Sequence, residues 1–67
     1  MILPGELWSR LRKDGTEQGA WITLSQAELN AHGFYQLLML RVDTGTGETR
    51  RFNANGFLNP KSWRREA

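Results

Sequence analysis

Apolar residues fall into short blocks along the chain, separated by glycine, asparagine and proline, and the stretch LSQAELNAHG carries the clearest local signal. Ser25 is a preferred N-cap residue, Glu28 three positions later completes a capping box, and the two leucines of the stretch suit a hydrophobic staple. Gly33 suits the left-handed position that follows a helix. The pattern predicts one helix of about two turns over residues 25–32.

Two blocks before this stretch have the length and composition of strands. Residues 7–13 (LWSRLRK) and 20–24 (AWITL) lie on either side of the dipeptide Asp14-Gly15 and of Gly19. Aromatic and β-branched residues favour strands, and Asp-Gly favours a chain reversal. We therefore expect a first hairpin in this part of the chain.

The block after the predicted helix, FYQLLMLRV, runs through DTGTG into ETRRFN. Its leucine, methionine and glutamine residues are better helix formers than strand formers. Gly45 and Gly47, however, permit positive φ where the chain must reverse, and this turn chemistry favours a strand pair. We predict a second hairpin over residues 36–42 and 48–53.

A strand over residues 36–42 would be apolar on both faces, because side chains alternate along a strand. One face would carry Leu38, Leu40 and Val42, and the other Tyr35, Leu37, Met39 and Arg41. A two-turn helix covers only one such face. We expect residues 54–67 to fold back over the other face through Phe57, Leu58 and Trp63, with a homodimer as the alternative to a monomer.

These elements together predict a small α+β domain over residues 1–67. One short helix would pack on a small antiparallel sheet of two hairpins, in the order ββαββ, and the C-terminal segment 54–67 would close over the sheet.

An alternative fold takes YQLLMLRV as a helix. The stretch LSQAELNAHGFYQLLMLRVDTG then resembles the two helices of a phage-repressor helix-turn-helix, and GETRRFNANGF resembles the β wing of small excisionase-like proteins. That resemblance implies DNA binding through the second helix. The second helix would carry four consecutive apolar residues where base contacts need polar ones, so the ββαββ arrangement is preferred.

Composition limits the class of protein. The 67 residues include three Trp, three Phe and one Tyr but no Cys, so packing rather than disulfides or thiolate-bound metal must stabilise the fold. No apolar run has the length of a membrane-spanning helix, and the first residues lack the pattern of a signal peptide. These features predict a cytoplasmic protein that does not enter a membrane.

Positive charge is concentrated in the second half of the sequence. Residues 1–33 contain three basic and four acidic residues, a balance of −1, whereas residues 34–67 contain six basic and three acidic residues, a balance of +3. No acidic residue lies between Arg50 and Arg65. One-sided basic charge favours an anionic partner, of which nucleic acid is the most common.

No residue set in the sequence suggests catalysis. His32 would lie in the last turn of the predicted helix, where imidazolium stabilises the helix end, and the Ser25 hydroxyl would cap its start. The GTG sequence at residues 45–47 lacks the Lys and Ser/Thr of a phosphate-binding loop. We therefore predict a protein that is not an enzyme and holds neither metal nor cofactor.

Binding is the remaining class of function. The predicted binding residues are Arg41, Arg50, Arg51, Lys61, Trp63, Arg64 and Arg65. In the preferred interpretation they contact a nucleic-acid backbone, and Tyr35, Phe52 or Trp63 offers a stacking face for a base. In the alternative, the protein is a phage-type adaptor or inhibitor that engages an acidic protein surface. The sequence leaves DNA, RNA and protein open as partners.

Overall fold

A computed structural model describes residues 2–67 of the chain, apart from the side chain of residue 58. The strands are β1 (Leu7–Leu11), β2 (Glu17–Thr23), β3 (Glu28–Leu29), β4 (Tyr35–Arg41), β5 (Thr49–Asn53) and β6 (Trp63–Arg65), and a 3₁₀-helix spans Ala54–Leu58 between β5 and β6. The described residues contain no α-helix. The protein is therefore mostly β, and both the α+β prediction and the helix-turn-helix alternative are wrong.

All six strands belong to one antiparallel sheet, in which β4 pairs with three other strands. β5 pairs with one edge of β4, while β3 and β2 share the other edge, and β1 and β6 extend the sheet beyond β2. The two predicted hairpins, β1–β2 and β4–β5, are confirmed. Gly45 and Gly47 in the β4–β5 turn have φ values of 69° and 72°, as the turn chemistry predicts.

The predicted helix over residues 25–32 is replaced by a sharp turn and a short strand. Ser25 does not cap a helix; its Oγ accepts a hydrogen bond from the backbone N–H of Leu38 on β4 at 3.1 Å. Glu28 pairs with Gln36 through the backbone, and so it does not return a bond to the N-cap position. Both residues of the predicted capping box therefore help to attach this segment to β4.

Gly33 follows a turn instead of a helix. The Asn30 side chain accepts hydrogen bonds from the backbone N–H groups of His32 and Phe34, at 2.9 and 3.0 Å, and Gly33 takes a φ of 83°. Each helix-end signal is worth roughly 1 kcal/mol. A two-turn helix is marginal in water without tertiary support, whereas pairing with β4 satisfies the same backbone groups inside the sheet.

The hydrophobic core lies on one face of the sheet, here called the inner face. It consists of Trp21, Leu37, Met39, Phe57 and Trp63, all of which are buried. The rings of Phe57 and Trp63 stack with their centroids 4.4 Å apart. The 3₁₀-helix thus lies over the face of β4 that carries Leu37 and Met39, and it contacts β6 through the Phe57–Trp63 stack.

The opposite face of the sheet, here called the outer face, carries a row of half-buried apolar side chains. Leu7, Ile22 and Leu40 lie directly opposite one another across β1, β2 and β4. Because residues that face each other across antiparallel strands point to the same side, this row lies away from the core. In the middle of β4, Leu37 and Met39 on the inner face are fully buried, whereas Leu38 and Leu40 on the outer face are half-buried.

Candidate functional site

Six of the nine lysine and arginine residues lie at one end of the sheet, here called the basic end. β1 and β4 finish there, and β2, β5 and β6 begin there, because each pairs antiparallel with its neighbour. The cations are Arg10, Arg12, Lys13, Arg41, Arg50 and Lys61. The acidic residues at this end are Asp14, Glu17, Asp43 and Glu48. The basic end therefore has a formal charge of +2.

Half of these cations come from the first half of the sequence. Arg10, Arg12 and Lys13 were not among the predicted binding residues, because residues 1–33 as a whole carry a small negative charge. The β1–β2 hairpin places them beside residues from the second half, and the backbone N–H of Leu11 donates to the carbonyl of Ser62, next to Lys61. The signal that could have found Arg10 is its spacing of two from Trp8, which places both on one face of a strand.

The predicted binding residues do not form one patch. Arg41, Arg50 and Lys61 lie at the basic end, whereas Arg51 projects from the outer face in the middle of β5. Arg64 and Arg65 follow β6 towards the other end of the sheet. Trp63 is 6% exposed and stacks on Phe57, so its ring lies in the core.

Four of the predicted cations have carboxylate partners. Arg41 Nε lies 2.8 Å from Asp43 Oδ1, and Arg50 pairs with Glu48. Arg64 pairs with Glu66, and Arg65 Nη1 lies 3.8 Å from Glu6 Oε2. The sequence has no acidic residue between Arg50 and Arg65, but three arginines of this interval are paired with carboxylates that lie outside it.

Asp43 and Arg41 form an ion pair in which each partner shifts the pKa of the other. The hydrogen bond from Arg41 is the main cause that lowers the pKa of Asp43 to about 2, and the same bond raises the pKa of Arg41. Both pKa shifts have the expected direction, because the carboxylate stabilises the charged guanidinium and the guanidinium stabilises the carboxylate. Asp43 therefore stays ionised near neutral pH and offsets the charge of Arg41.

Three arginines of the basic end lie over aromatic rings of the inner face. Arg10 Cζ lies 5.2 Å from the Phe52 ring centroid and 5.9 Å from that of Trp63. Arg50 Cζ lies 5.5 Å from the Trp21 centroid, and Arg41 Cζ lies 5.7 Å from it. These distances fall within the range of cation–π attraction. The guanidinium groups thus cover the rings at the basic end of the core.

The exposed apolar side chains are concentrated at the other end of the sheet, here called the apolar end. Of the six large exposed apolar side chains among the described residues, Val42 follows β4 at the basic end, and the other five lie at the apolar end: Leu3, Leu24, Leu29, Phe34 and Tyr35. Phe34 and Tyr35 are each 59% exposed and Leu29 is 61% exposed. Of the three aromatic residues predicted to stack on bases, Tyr35 alone has an open ring, and it lies far along β4 from the basic end.

The described residues offer little for metal chemistry. They contain no group of three or more His, Cys, Asp or Glu side chains placed to hold a metal ion. His32 lies exposed in the turn between β3 and β4. Across residues 2–67, no helix is long and apolar enough to span a bilayer.

Comparison of the chain with protein-family models, with curated proteins and with solved structures found no match.

Proposed function

We propose that the protein is a non-enzymatic module that binds nucleic acid through its basic end, as a polyanion and without strong sequence preference. The observation that carries this proposal is the clustering of six cations at one end of the sheet. Four of them, Arg10, Arg12, Lys13 and Lys61, lie more than 4.0 Å from every carboxylate among the described residues. These four are available for phosphate groups.

Contacts to the phosphate backbone suit this surface better than contacts to bases. Lysine and arginine side chains that neutralise phosphates release counterions, and this release supplies most non-specific affinity. Base reading needs polar side chains held against base edges or open aromatic rings. The rings near the basic end, those of Trp21, Phe52 and Trp63, are instead packed in or against the core.

Fluorescence anisotropy of a labelled single-stranded oligonucleotide over a range of salt concentrations tests the proposal. Replacing Arg12, Lys13 and Lys61 together by Gln should weaken binding and reduce the salt slope by up to about 2, at roughly 0.7 per phosphate contact. Arg51→Gln with Arg64→Gln is the control, because both residues project from the outer face. Absence of binding by the wild-type protein at low salt would refute the proposal.

A protein partner is the second candidate, and the apolar end favours it. Leu29 and its strand partner Tyr35 are both exposed, as is the neighbouring Phe34, and exposed apolar patches are a feature of protein interaction sites. An acidic protein surface would also suit the basic end. A nuclease-treated pull-down separates the candidates: a protein partner should remain after nuclease treatment and be lost with Phe34→Ser, whereas a nucleic-acid-mediated complex should disappear on nuclease treatment alone.

A further inference from the structure

Arg10 differs from the other arginines of the basic end in how its side chain is held. Arg41 and Arg50 donate to carboxylates, and Arg12 donates to the hydroxyl of Thr16 and the carbonyl of Glu17. Arg10 makes no side-chain hydrogen bond within residues 2–67, and no carboxylate of that range lies within 4.0 Å of it. Its contacts are the Phe52 and Trp63 rings.

The N–H groups of Arg10 nevertheless face solvent. An arginine side chain has five N–H donors and no acceptor. Every fully buried side-chain nitrogen or oxygen among the described residues has a hydrogen-bond partner. Since the Arg10 nitrogens have none, they lie at accessible positions although the residue is half-buried. The Arg10 side chain is therefore restricted by the two aromatic rings, and its N–H groups remain free to donate hydrogen bonds to a ligand.

Pairing of β1 with the strands on both of its sides determines where the Arg10 side chain lies. Arg10 lies directly opposite Gly19 on β2 and opposite Trp63 on β6. The guanidinium of Arg41 lies over Gly19, and Trp63 supplies a flat surface beneath the guanidinium of Arg10. Asp43 and Glu48 offset the charges of Arg41 and Arg50. Of the three arginines that lie over the aromatic rings, Arg10 is therefore the one whose positive charge is not offset by a carboxylate in the described part of the chain.

We propose that the Arg10 guanidinium is an anion-binding site and that its ligand is a phosphate group of the bound nucleic acid. The identity of this ligand rests on the proposed function. A guanidinium offers a planar fork of donors that matches two phosphate oxygens, which an ammonium group does not. The rings of Phe52 and Trp63 restrict the side chain before binding, so less conformational entropy is lost when the phosphate binds.

Two substitutions of Arg10 separate the contribution of the guanidinium shape to binding from the contribution of its positive charge. Arg10→Lys keeps the charge but loses the fork, and Arg10→Gln loses both. We expect Arg10→Lys to weaken oligonucleotide binding about tenfold. Arg51→Lys is the matched control, because Arg51 projects from the outer face in the middle of β5, away from the basic end, and its effect should stay below about twofold. Equal affinity of Arg10→Lys and the wild-type protein would overturn the proposal.

A second measurement does not depend on nucleic acid. The ¹⁵N-labelled wild-type protein is titrated with inorganic phosphate at constant ionic strength, and the Nε–Hε resonance of Arg10 is assigned from its absence in Arg10→Lys. That resonance should shift to saturation while the Arg64 resonance stays in place. An unmoved Arg10 resonance would overturn the anion site.

The two measurements distinguish this inference from the proposed function. If the oligonucleotide binds but phosphate leaves the Arg10 resonance in place, the Arg10 site is wrong and the nucleic-acid proposal stands. If phosphate shifts Arg10 but no oligonucleotide binds, Arg10 holds anions and the assignment of nucleic acid as ligand is wrong. Unchanged urea unfolding of Arg10→Lys excludes loss of the fold as the cause of weaker binding.

Discussion

Gly19 lies directly beneath the guanidinium of Arg41. A Cβ atom built on Gly19 would lie 3.1 Å from Arg41 Nη2 and 3.2 Å from Trp21 Nε1. Arg41 Nη2 also donates to the carbonyl of Gln18 at 3.2 Å. The missing side chain at position 19 therefore allows an arginine from β4 to lie across β2, over the edge of the core.

Gly19→Val should destabilise the protein by about 1–3 kcal/mol, because the new side chain displaces Arg41 and presses on the Trp21 ring. The measurement is urea unfolding, with near-ultraviolet circular dichroism to follow the tryptophan environment. Ala20→Val is the matched control, since residue 20 points to the outer face. A Gly19→Val variant as stable as the wild type would contradict the close contact.

Glu6→Gln should lower stability at neutral pH by roughly 1–3 kcal/mol. The buried Glu6 carboxylate accepts hydrogen bonds from the Leu3 backbone N–H at 2.8 Å and from Trp8 Nε1 at 3.1 Å, with Arg65 nearby. The Leu3 bond is the largest cause that lowers the pKa of Glu6. In Glu6→Gln a neutral amide replaces the carboxylate, so the two N–H donors and Arg65 lose a negatively charged acceptor.

The contribution of Glu6 to stability should depend on pH, in a direction set by the lowering of its pKa in the folded protein. Because the pKa of Glu6 is lower in the folded state, its stabilisation is fully present above the ordinary carboxyl pKa and is lost as the pH falls through the folded value. The stability difference between the wild type and Glu6→Gln should therefore shrink as the pH falls below the ordinary carboxyl pKa. Urea unfolding of both proteins over a series of pH values measures this difference.

Ser25→Ala should cost about 1 kcal/mol and speed amide hydrogen exchange at Leu38, because the Leu38 N–H loses its acceptor. Ser62→Ala is the control, since the backbone hydrogen bonds of Ser62 with Leu11 and Asn59 do not need the hydroxyl. Exchange at Leu38 that is unchanged by Ser25→Ala would show that this bond does not protect β4.

Asp43→Asn combined with Glu48→Gln should strengthen oligonucleotide binding, because it removes the carboxylates that offset Arg41 and Arg50. The salt slope should rise by up to about 1.4, for two further phosphate contacts on a single strand. Anisotropy titrations measure both quantities. Weaker binding by a variant with an unchanged unfolding curve would place the contact surface elsewhere on the protein.

A chain truncated after residue 56 should not fold cooperatively. It lacks Phe57 and Trp63, which are buried in the core, and β6, which pairs with β1. Loss of one such aromatic side chain typically costs about 3–5 kcal/mol, a large part of the stability of a small domain. A soluble, cooperatively unfolding monomer of the shortened chain would show that the C-terminal segment is not needed to cover the inner face.

Local sequence signals determined the hairpins of this protein. Gly45 and Gly47 specify the turn that joins β4 to β5, because tolerance of positive φ is a property of the residue itself. The alternation along residues 36–42 likewise separates Leu37 and Met39 from Leu38 and Leu40.

Tertiary structure decided the rest, because it depends on contacts between residues far apart in the chain. The residues around Ser25 carry helix-end signals, yet pairing with β4 outweighs them and turns the segment into an edge of the sheet. The basic end likewise joins Arg10 and Lys61, which no local pattern relates, and it places carboxylates beside Arg41 and Arg50. Charge counted along the sequence could not reveal that surface, since antiparallel pairing determines which cations share an end.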